Sequence, residues 1–385
     1  MFRLDNFRRP VILDGATGTR LQALGLPAGV CASQWILQNP EAMKTVHGSY
    51  IRAGSDAVYA PTFGVTRPEL ERHGVKAGVR DTVLRLVELA RDGAPGLAIG
   101  GDMSPTGLPL PPLGETEFDE LVEIFTEQAA ALEEACVDFF VLETQMALWE
   151  TRAAFQAVRN VSKKPVLVSF ATDTGRSLYG GDMGALLLIM QEMGASAFGI
   201  NCCGDMAIVE QTLQSLRPLA RIPLIAKPNA GKPVTENGRA VYRMEPETLA
   251  EAGVRFARAG AAFLGGCCGT DDTHIAALRA AVEGIAPTAP APEPGEYYAC
   301  EYGYVRYTDQ TKVAEIEITD DLEDDADDAR YDGAEMISLT LENEEDADLV
   351  LESQTALKLP LCVRFADRDL QTRFLREYAG FPKIL

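Results

Sequence analysis

Four of the eight cysteines in the chain stand as two adjacent pairs, Cys202-Cys203 and Cys267-Cys268. Three thiolates at ~2.3 Å make a tetrahedral zinc site with one vacant position, as catalytic zinc requires. Adjacent cysteines ligate together only where the backbone turns sharply, and Gly265, Gly266 and Gly269 permit such a turn. The spacing is not that of a zinc finger. A disulfide framework is not expected either, because MFRLDNFRRPVILDG (1–15) has basic residues but no apolar leader core. Cys31, Cys136, Cys300 and Cys362 read as small buried residues.

Whether the paired cysteines meet depends on the elements that carry them. Eight short apolar runs punctuate the first ~285 residues: 11–13, 57–60, 97–100, 139–142, 166–170, 197–200, 224–226 and 262–264. Most are continuously apolar, as strands buried on both faces should be. Amphipathic stretches such as 68–92, 117–134, 206–216, 246–259 and 272–282 lie between them. Eight strand–helix alternations predict a (β/α)8 TIM-type barrel. The turn after the first run, Asp14-Gly15-Ala16-Thr17-Gly18-Thr19, lacks G-x-G-x-x-G spacing and a following Lys-Ser/Thr, which excludes a nucleotide loop. Its N–H groups remain available to an anion.

A barrel enzyme builds its site at the carboxyl ends of the strands. Those ends carry Asp14, Thr62-Phe63, Asp102, Glu143-Thr144-Gln145, Ser169, Asn201-Cys202-Cys203, Pro228-Asn229 and Cys267-Cys268. Both cysteine pairs therefore fall on the active rim, at the sixth and eighth strands, with one strand between them.

GINCC (199–203), KPNAG (227–231) and GGCCGT (265–270) resemble the homocysteine S-methyltransferase family, and DGATGT (14–19), APTF (60–63) and LET (142–144) fit its pattern. The likeness runs from about residue 8 to 284 and is closest to the homocysteine-binding module of cobalamin-dependent methionine synthases. It implies zinc ligands Cys202, Cys267 and Cys268, with Cys203 a non-ligand neighbour. It also implies that Asp14, Glu143 and the turn containing Gly15 and Thr17 hold the amino acid end of homocysteine. Thr62 and Asn229 complete the candidate substrate-binding set. No catalytic residue beyond the zinc site is expected, because methyl transfer to a thiolate needs no general base at carbon. Structural roles compete with these assignments: Asp14 is placed to cap its turn, Glu143 to form a buried salt bridge, Asn229 to shape its loop and Thr62 to wall the pocket. His47, His73 and His274 sit on helical stretches and read as surface or packing residues.

The implied activity is methyl transfer to homocysteine giving methionine. The implied donor is methylcobalamin carried by a separate corrinoid protein, since no D-x-H-x-x-G motif stands in the chain. S-methylmethionine or betaine as donor, or a non-catalytic zinc subunit of a split methionine synthase, are the alternatives.

A Pro/Ala stretch at 286–296 reads as a linker between the barrel (1–285) and an acidic α/β appendage (297–385). Residues 301–385 hold 22 acidic and 9 basic side chains, a net of −13 out of −22 for the whole chain. The segments 297–307 and 312–319 read as a polar hairpin, 320–329 as an acidic helix or solvated run, and 334–385 as β-α-β-α-β, about three strands. Segments 331–339, 359–367 and 378–385 resemble the start of a pterin-binding barrel without its opening motif, so folate binding is not expected. The acidity argues against nucleic acid, and no apolar run approaches the ~18 residues of a membrane span. A cytoplasmic protein is expected.

Overall fold

The computed structural model describes residues 8–236 and 239–385. Its strands are β1 (Val11–Ile12), β2 (Ala57–Tyr59), β3 (Ala98–Met103), β4 (Phe139–Gln145), β5 (Val166–Ala171), β6 (Ala197–Asn201) and β7 (Leu224–Lys227). A hairpin of β8 (Val234–Glu236) and β9 (Arg239–Val241) precedes β10 (Ala261–Leu264). The eight parallel strands run β1-β10-β7-β6-β5-β4-β3-β2 around the barrel. All eight predicted runs are strands, and β7 separates the two that carry cysteine pairs. The hairpin was not foreseen from the sequence.

Alternation along the strands divides two cores. Val11, Tyr59, Phe139, Val141, Ile225 and Phe263 share the interior cluster, while Phe140, Leu142 and Ile200 join the layer under the helices. The helices are amphipathic for the matching reason: Val79–Gly93 buries Val83, Leu86, Val87 and Ala90 on one face. The stretch 68–92 is two helices rather than one, because Arg67–Arg72 stops at Gly74, whose φ of 65° ends a helix readily.

Side chains bridge the barrel seam between β1 and β2. Asp56 donates its N–H to Ile12 O at 2.6 Å and accepts from Ile12 N at 2.7 Å. One turn higher, Asp14 Oδ2 accepts from Tyr59 N at 2.7 Å. Asp14 thus replaces a ladder carbonyl at the rim.

The remaining strands are β11 (Glu296–Cys300), β12 (Gly303–Tyr307), β13 (Val313–Glu315), β14 (Met336–Leu341), β15 (Leu361–Phe365), β16 (Gly380–Phe381) and β17 (Lys383–Ile384). They form an antiparallel sheet β12-β11-β16 and a parallel sheet β13-β14-β15-β17 with its own apolar cluster. The sequence-based hairpin is corrected here: it spans β11 and β12 alone, and Val313–Glu315 pairs in parallel with β14. The parallel sheet accordingly has four strands. The acidic run forms a helix, Leu322–Tyr331. Regular structure resumes at Glu296, inside the segment read as linker, and Glu293 N–H already bonds Pro218 O at 2.7 Å.

β11, β12 and β16 lie over the helix Met183–Glu192. That contact explains GALLLIM (184–190), an apolar run without a polar face: residues Met183 to Gln191 are all buried, between the barrel on one side and the appendage on the other. Among the described residues no helix is long and apolar enough to cross a membrane.

Candidate active site

Cys202 follows β6, and Cys267 and Cys268 follow β10. Main-chain bonds set both turns. Cys202 N–H bonds Lys227 O at 3.2 Å, Cys267 N–H bonds Pro228 O at 2.7 Å, and Ala230 N–H bonds Cys268 O at 2.9 Å. The loop after β7 is therefore the jig that holds both cysteine turns. Cys202 pays in strain, with a φ of 57° in the left-handed region. Gly269, at φ +81°, packs where a Cβ would stand 2.2 Å from Tyr242 Cγ.

Cys202 Sγ lies 3.5 Å from Cys267 Sγ and 3.9 Å from Cys268 Sγ, and all three sulfurs fall within 4.8 Å of one another. Sulfurs bound tetrahedrally at ~2.3 Å would be about 3.8 Å apart, so the trio matches a zinc site. Ionisation is uneven across the trio, with Cys267 also raised. Hydrogen bonds from Cys202 and Cys267 pull the Cys268 thiol down to about 3, while Cys202, bonded to both partners, is pushed up. Three thiolates this close need a cation. Cys203 is fully buried in the apolar core and its Sγ points to Asp205 O at 3.5 Å, away from the trio.

Donors surround the sulfurs. Asn201 Nδ2 lies 3.8 Å from Cys267 Sγ and donates to Thr144 Oγ1 at 2.7 Å, and Asn201 Oδ1 accepts from Thr144 N at 3.1 Å. The Tyr242 side chain stands by Cys268 and helps to lower its thiol. Such partners orient ligands and tune a metal. The sequence placed Asn201 on the rim without assigning it a role, and it did not point to Tyr242.

A cavity of about 270 Å³ runs from the three cysteines to a buried charge cluster. Lys227 Nζ sits 3.1 Å from Asp14 Oδ1 and 2.9 Å from Glu143 Oε1, with side-chain exposures of 3%, 2% and 12% in that order. It also lies 3.7 Å from the centre of the Tyr59 ring. Lys227 is held well above the ordinary lysine range by Asp14 and Glu143, against the opposing cost of burial. Burial pushes the Glu143 carboxyl up to about 7, with Lys227 pulling against it. Asp102 lines the same cavity, its Oδ1 buried and without a partner. Burial and then the neighbouring Glu143 raise it well above the carboxylate range.

Asp14, Gly15, Thr17 and Glu143 all line this cavity. Tyr50 Oη fixes their turn by donating to Ala16 O at 2.6 Å, and Thr270 Oγ1 accepts from Ala16 N at 3.1 Å. Glu143 also takes the structural role that competed for it, an ion pair, whereas Asp14 bonds Tyr59 N–H across the seam rather than capping its turn. Thr62 and Asn229, expected among the substrate contacts, do not line this cavity. Thr62 is fully buried and donates to Asp102 O at 2.8 Å, below the cavity floor. Asn229 is buried outside the lining, shaping its loop through an N–H bond to Cys203 O at 2.9 Å. His47 and His274 are buried packing residues bonded to Tyr59 O and Met244 O, and His73 pairs with Glu69.

Lys227 is the principal residue that sequence reasoning missed. It stands in KPNAG and ends an apolar strand. A lysine there must be buried, and a buried lysine needs an acid.

Comparison with known proteins identifies the family of the barrel. The family described as homocysteine S-methyltransferase matches residues 11–282. Methionine synthase of Mycobacterium tuberculosis is 34% identical over 298 residues, 72% of this chain and 25% of that protein. The Mycobacterium leprae methionine synthase is 35% identical over 299 residues, 71% of this chain and 24% of that protein. The chain thus spans about a quarter of the length of the curated relatives it matches. Among solved structures, the metallated form of the Escherichia coli homocysteine methyltransferase MmuM aligns with a TM-score of 0.61 at 25% identity, covering 72% of this chain and 97% of that one.

Proposed function

The chain belongs to the homocysteine S-methyltransferase family, and from that premise we propose that it methylates the thiol of homocysteine to give methionine, with zinc held by Cys202, Cys267 and Cys268. The observation that carries this reading is one cavity with three convergent sulfurs at one end and buried carboxylates at the other. A thiol site and buried carboxylates in one cavity suit a small amino acid that carries a thiol.

The chemistry a bound zinc supplies is acidification of a thiol whose free pKa is ~8.5. The remaining work falls to the chain. Asp14 and Glu143 receive the substrate ammonium, while Lys227 offsets their repulsion. The Gly15 and Thr17 N–H groups are offered to the carboxylate, that of Ala16 being held by Thr270. Leu21, Leu26, Ile36 and Pro61 wall the cavity and limit water at the reacting sulfur. The new S–C bond forms as the donor's bond to the methyl breaks, and that electron pair stays with the donor.

The donor we infer is methylcobalamin presented by a separate corrinoid protein. Pockets that take a drug-sized ligand measure ~300–1,000 Å³, so about 270 Å³ suits one small amino acid rather than two. The charged groups lining it are gathered around Lys227, which leaves no second zwitterion site. Exposed Leu24, Phe63, Leu113, Leu178, Tyr179 and Val234 stand on loops that leave the carboxyl ends of barrel strands. Phe63 lines the cavity itself, and exposed apolar residues at the same end of the barrel favour a macromolecular partner. One observation favours the corrinoid-independent reading: the barrel alone covers nearly all of the E. coli homocysteine methyltransferase. A donor panel separates the two. Zinc-loaded chain should form methionine from methylcobalamin and homocysteine, and turnover with S-methylmethionine or betaine alone would overturn the donor assignment. A cytoplasmic setting suits a site of reduced thiols.

Glu143 adds a pH dependence. Its carboxyl, raised to about 7, is protonated below that value and charged above it. Ammonium binding needs the charged form, so affinity rises with pH. Methionine has the same amino acid end and no thiol to ionise. Titrated into the reduced, metal-free chain, it should bind more tightly at pH 8 than at pH 6, and Glu143→Gln should flatten that difference.

A further inference from the structure

The helix Leu148–Val161 begins just after β4 and has no side-chain cap of its own, because Ala147 occupies its N-cap position. Alanine cannot accept from the free N–H groups of a helix start. The acceptor comes from 153 residues away: Glu301, between β11 and β12, takes the Leu148 N–H at 3.2 Å through Oε1. Glu301 is 9% exposed, and its carbonyl also accepts from Asp182 N at 2.9 Å. One appendage residue therefore ties the helix after β4 to the loop after β5.

The first turn of this helix reaches into the barrel rim. Glu150 Oε1 accepts from Thr106 N at 2.7 Å and from Thr106 Oγ1 at 2.6 Å, fixing the loop after β3. The Thr151 hydroxyl is shared between Ala147 O at 2.7 Å and Gln145 Oε1 at 3.2 Å. Gln145, fully buried, donates through Nε2 to Glu143 O at 3.2 Å and to Met103 O at 3.3 Å. Arg152 Nη2 then donates to Leu375 O at 2.8 Å, at the end of the last appendage helix. Consecutive contacts thus run from the appendage to the main chain of the carboxylate beside Lys227.

We propose that the appendage is a working part of the barrel site, and that Glu301 is a positioning residue for substrate binding. It fixes the first turn of the helix Leu148–Val161 and, through Thr151 and Gln145, the place of Glu143. The proposal rests on the reading of Glu143 as the acid that receives the substrate ammonium. It gives the appendage a task that requires no pterin.

The test uses the full zinc-loaded chain with Glu301→Ala and Glu301→Gln. The glutamine amide oxygen can accept the same Leu148 bond, so it serves as the rescue. Losing a helix cap at a binding site should raise KM for homocysteine about five- to tenfold while kcat changes by less than about twofold. Zinc content should be unchanged, and Glu301→Gln should return KM to within about twofold of the parent. Hydrogen exchange of residues 147–152, measured without substrate, should quicken in Glu301→Ala and return in Glu301→Gln. Unchanged exchange in Glu301→Ala overturns the proposal, as does faster exchange with an unaltered KM. If no form binds homocysteine, the reading of the site falls, and the exchange rates still decide whether Glu301 holds the helix.

Discussion

Cys267→Ser is expected to lose both its zinc and its methyl transfer. Structural zinc sites bind with about 10–16 kcal/mol spread over four ligands, so one thiolate is responsible for roughly 3 kcal/mol, or about a hundredfold in affinity. Cys267 is also the sulfur nearest Cys202, at 3.5 Å, and the one that Asn201 faces. Removing it leaves two sulfurs 3.9 Å apart. Without the metal, a thiol of pKa ~8.5 is only about 3% ionised at pH 7, which removes most of the nucleophile. Zinc per chain should drop to near zero after dialysis, and methionine formation should fall by at least about a hundredfold. Cys203→Ser is the matched control. Its sulfur faces Asp205 O inside the apolar core, so metal content and turnover should survive, at a stability cost of about 1 kcal/mol. A metal-free Cys203→Ser protein beside a zinc-loaded Cys267→Ser protein would reverse the ligand assignment.

Lys227→Met is expected to be the most destabilising single change at the site. The methionine fills the space of the aliphatic stem but leaves Asp14 and Glu143 buried without their cation. Removing one member of a buried charge group costs about 3–5 kcal/mol, because the others stay desolvated and unpaired. Lys227→Arg should not rescue it, since a planar guanidinium does not fit the place of a compact ammonium over Tyr59. Denaturant unfolding measures the loss, and Glu143→Gln in the Lys227→Met background should recover part of it by removing one orphaned charge. If Lys227→Met unfolds at the parental midpoint, the cluster is not the electrostatic unit described here.

The barrel and the metal trio were legible because each depends on local signals. Continuous apolar runs mark strands buried on both faces, and glycine-flanked cysteines at two strand ends can only converge on one rim. What escaped depends on partners distant in the chain. Lys227 closes an apolar run, and its role emerges only when β1 and β4 bring Asp14 and Glu143 to its ammonium. Thr62 and Asn229 occupy rim positions in the sequence, yet their neighbours' backbone groups take them. Val313–Glu315 alternates like a hairpin strand because it is the edge of a parallel sheet, and its partner Met336 lies 23 residues on. Glu301 carries no motif at all. Only the missing cap at Ala147 points to it, and that gap is visible only once the helix start is known.

The central claim is that the three cysteines and the buried charge cluster bind one homocysteine with its thiol ionised. Calorimetric titration of homocysteine into the zinc-loaded chain, repeated in buffers of different ionisation enthalpy, tests it most directly. The expected result is one homocysteine per chain with release of about one proton at pH 7, and weaker binding without that proton release in the metal-free protein. Binding without proton release, or equally tight binding after zinc removal, would contradict the account.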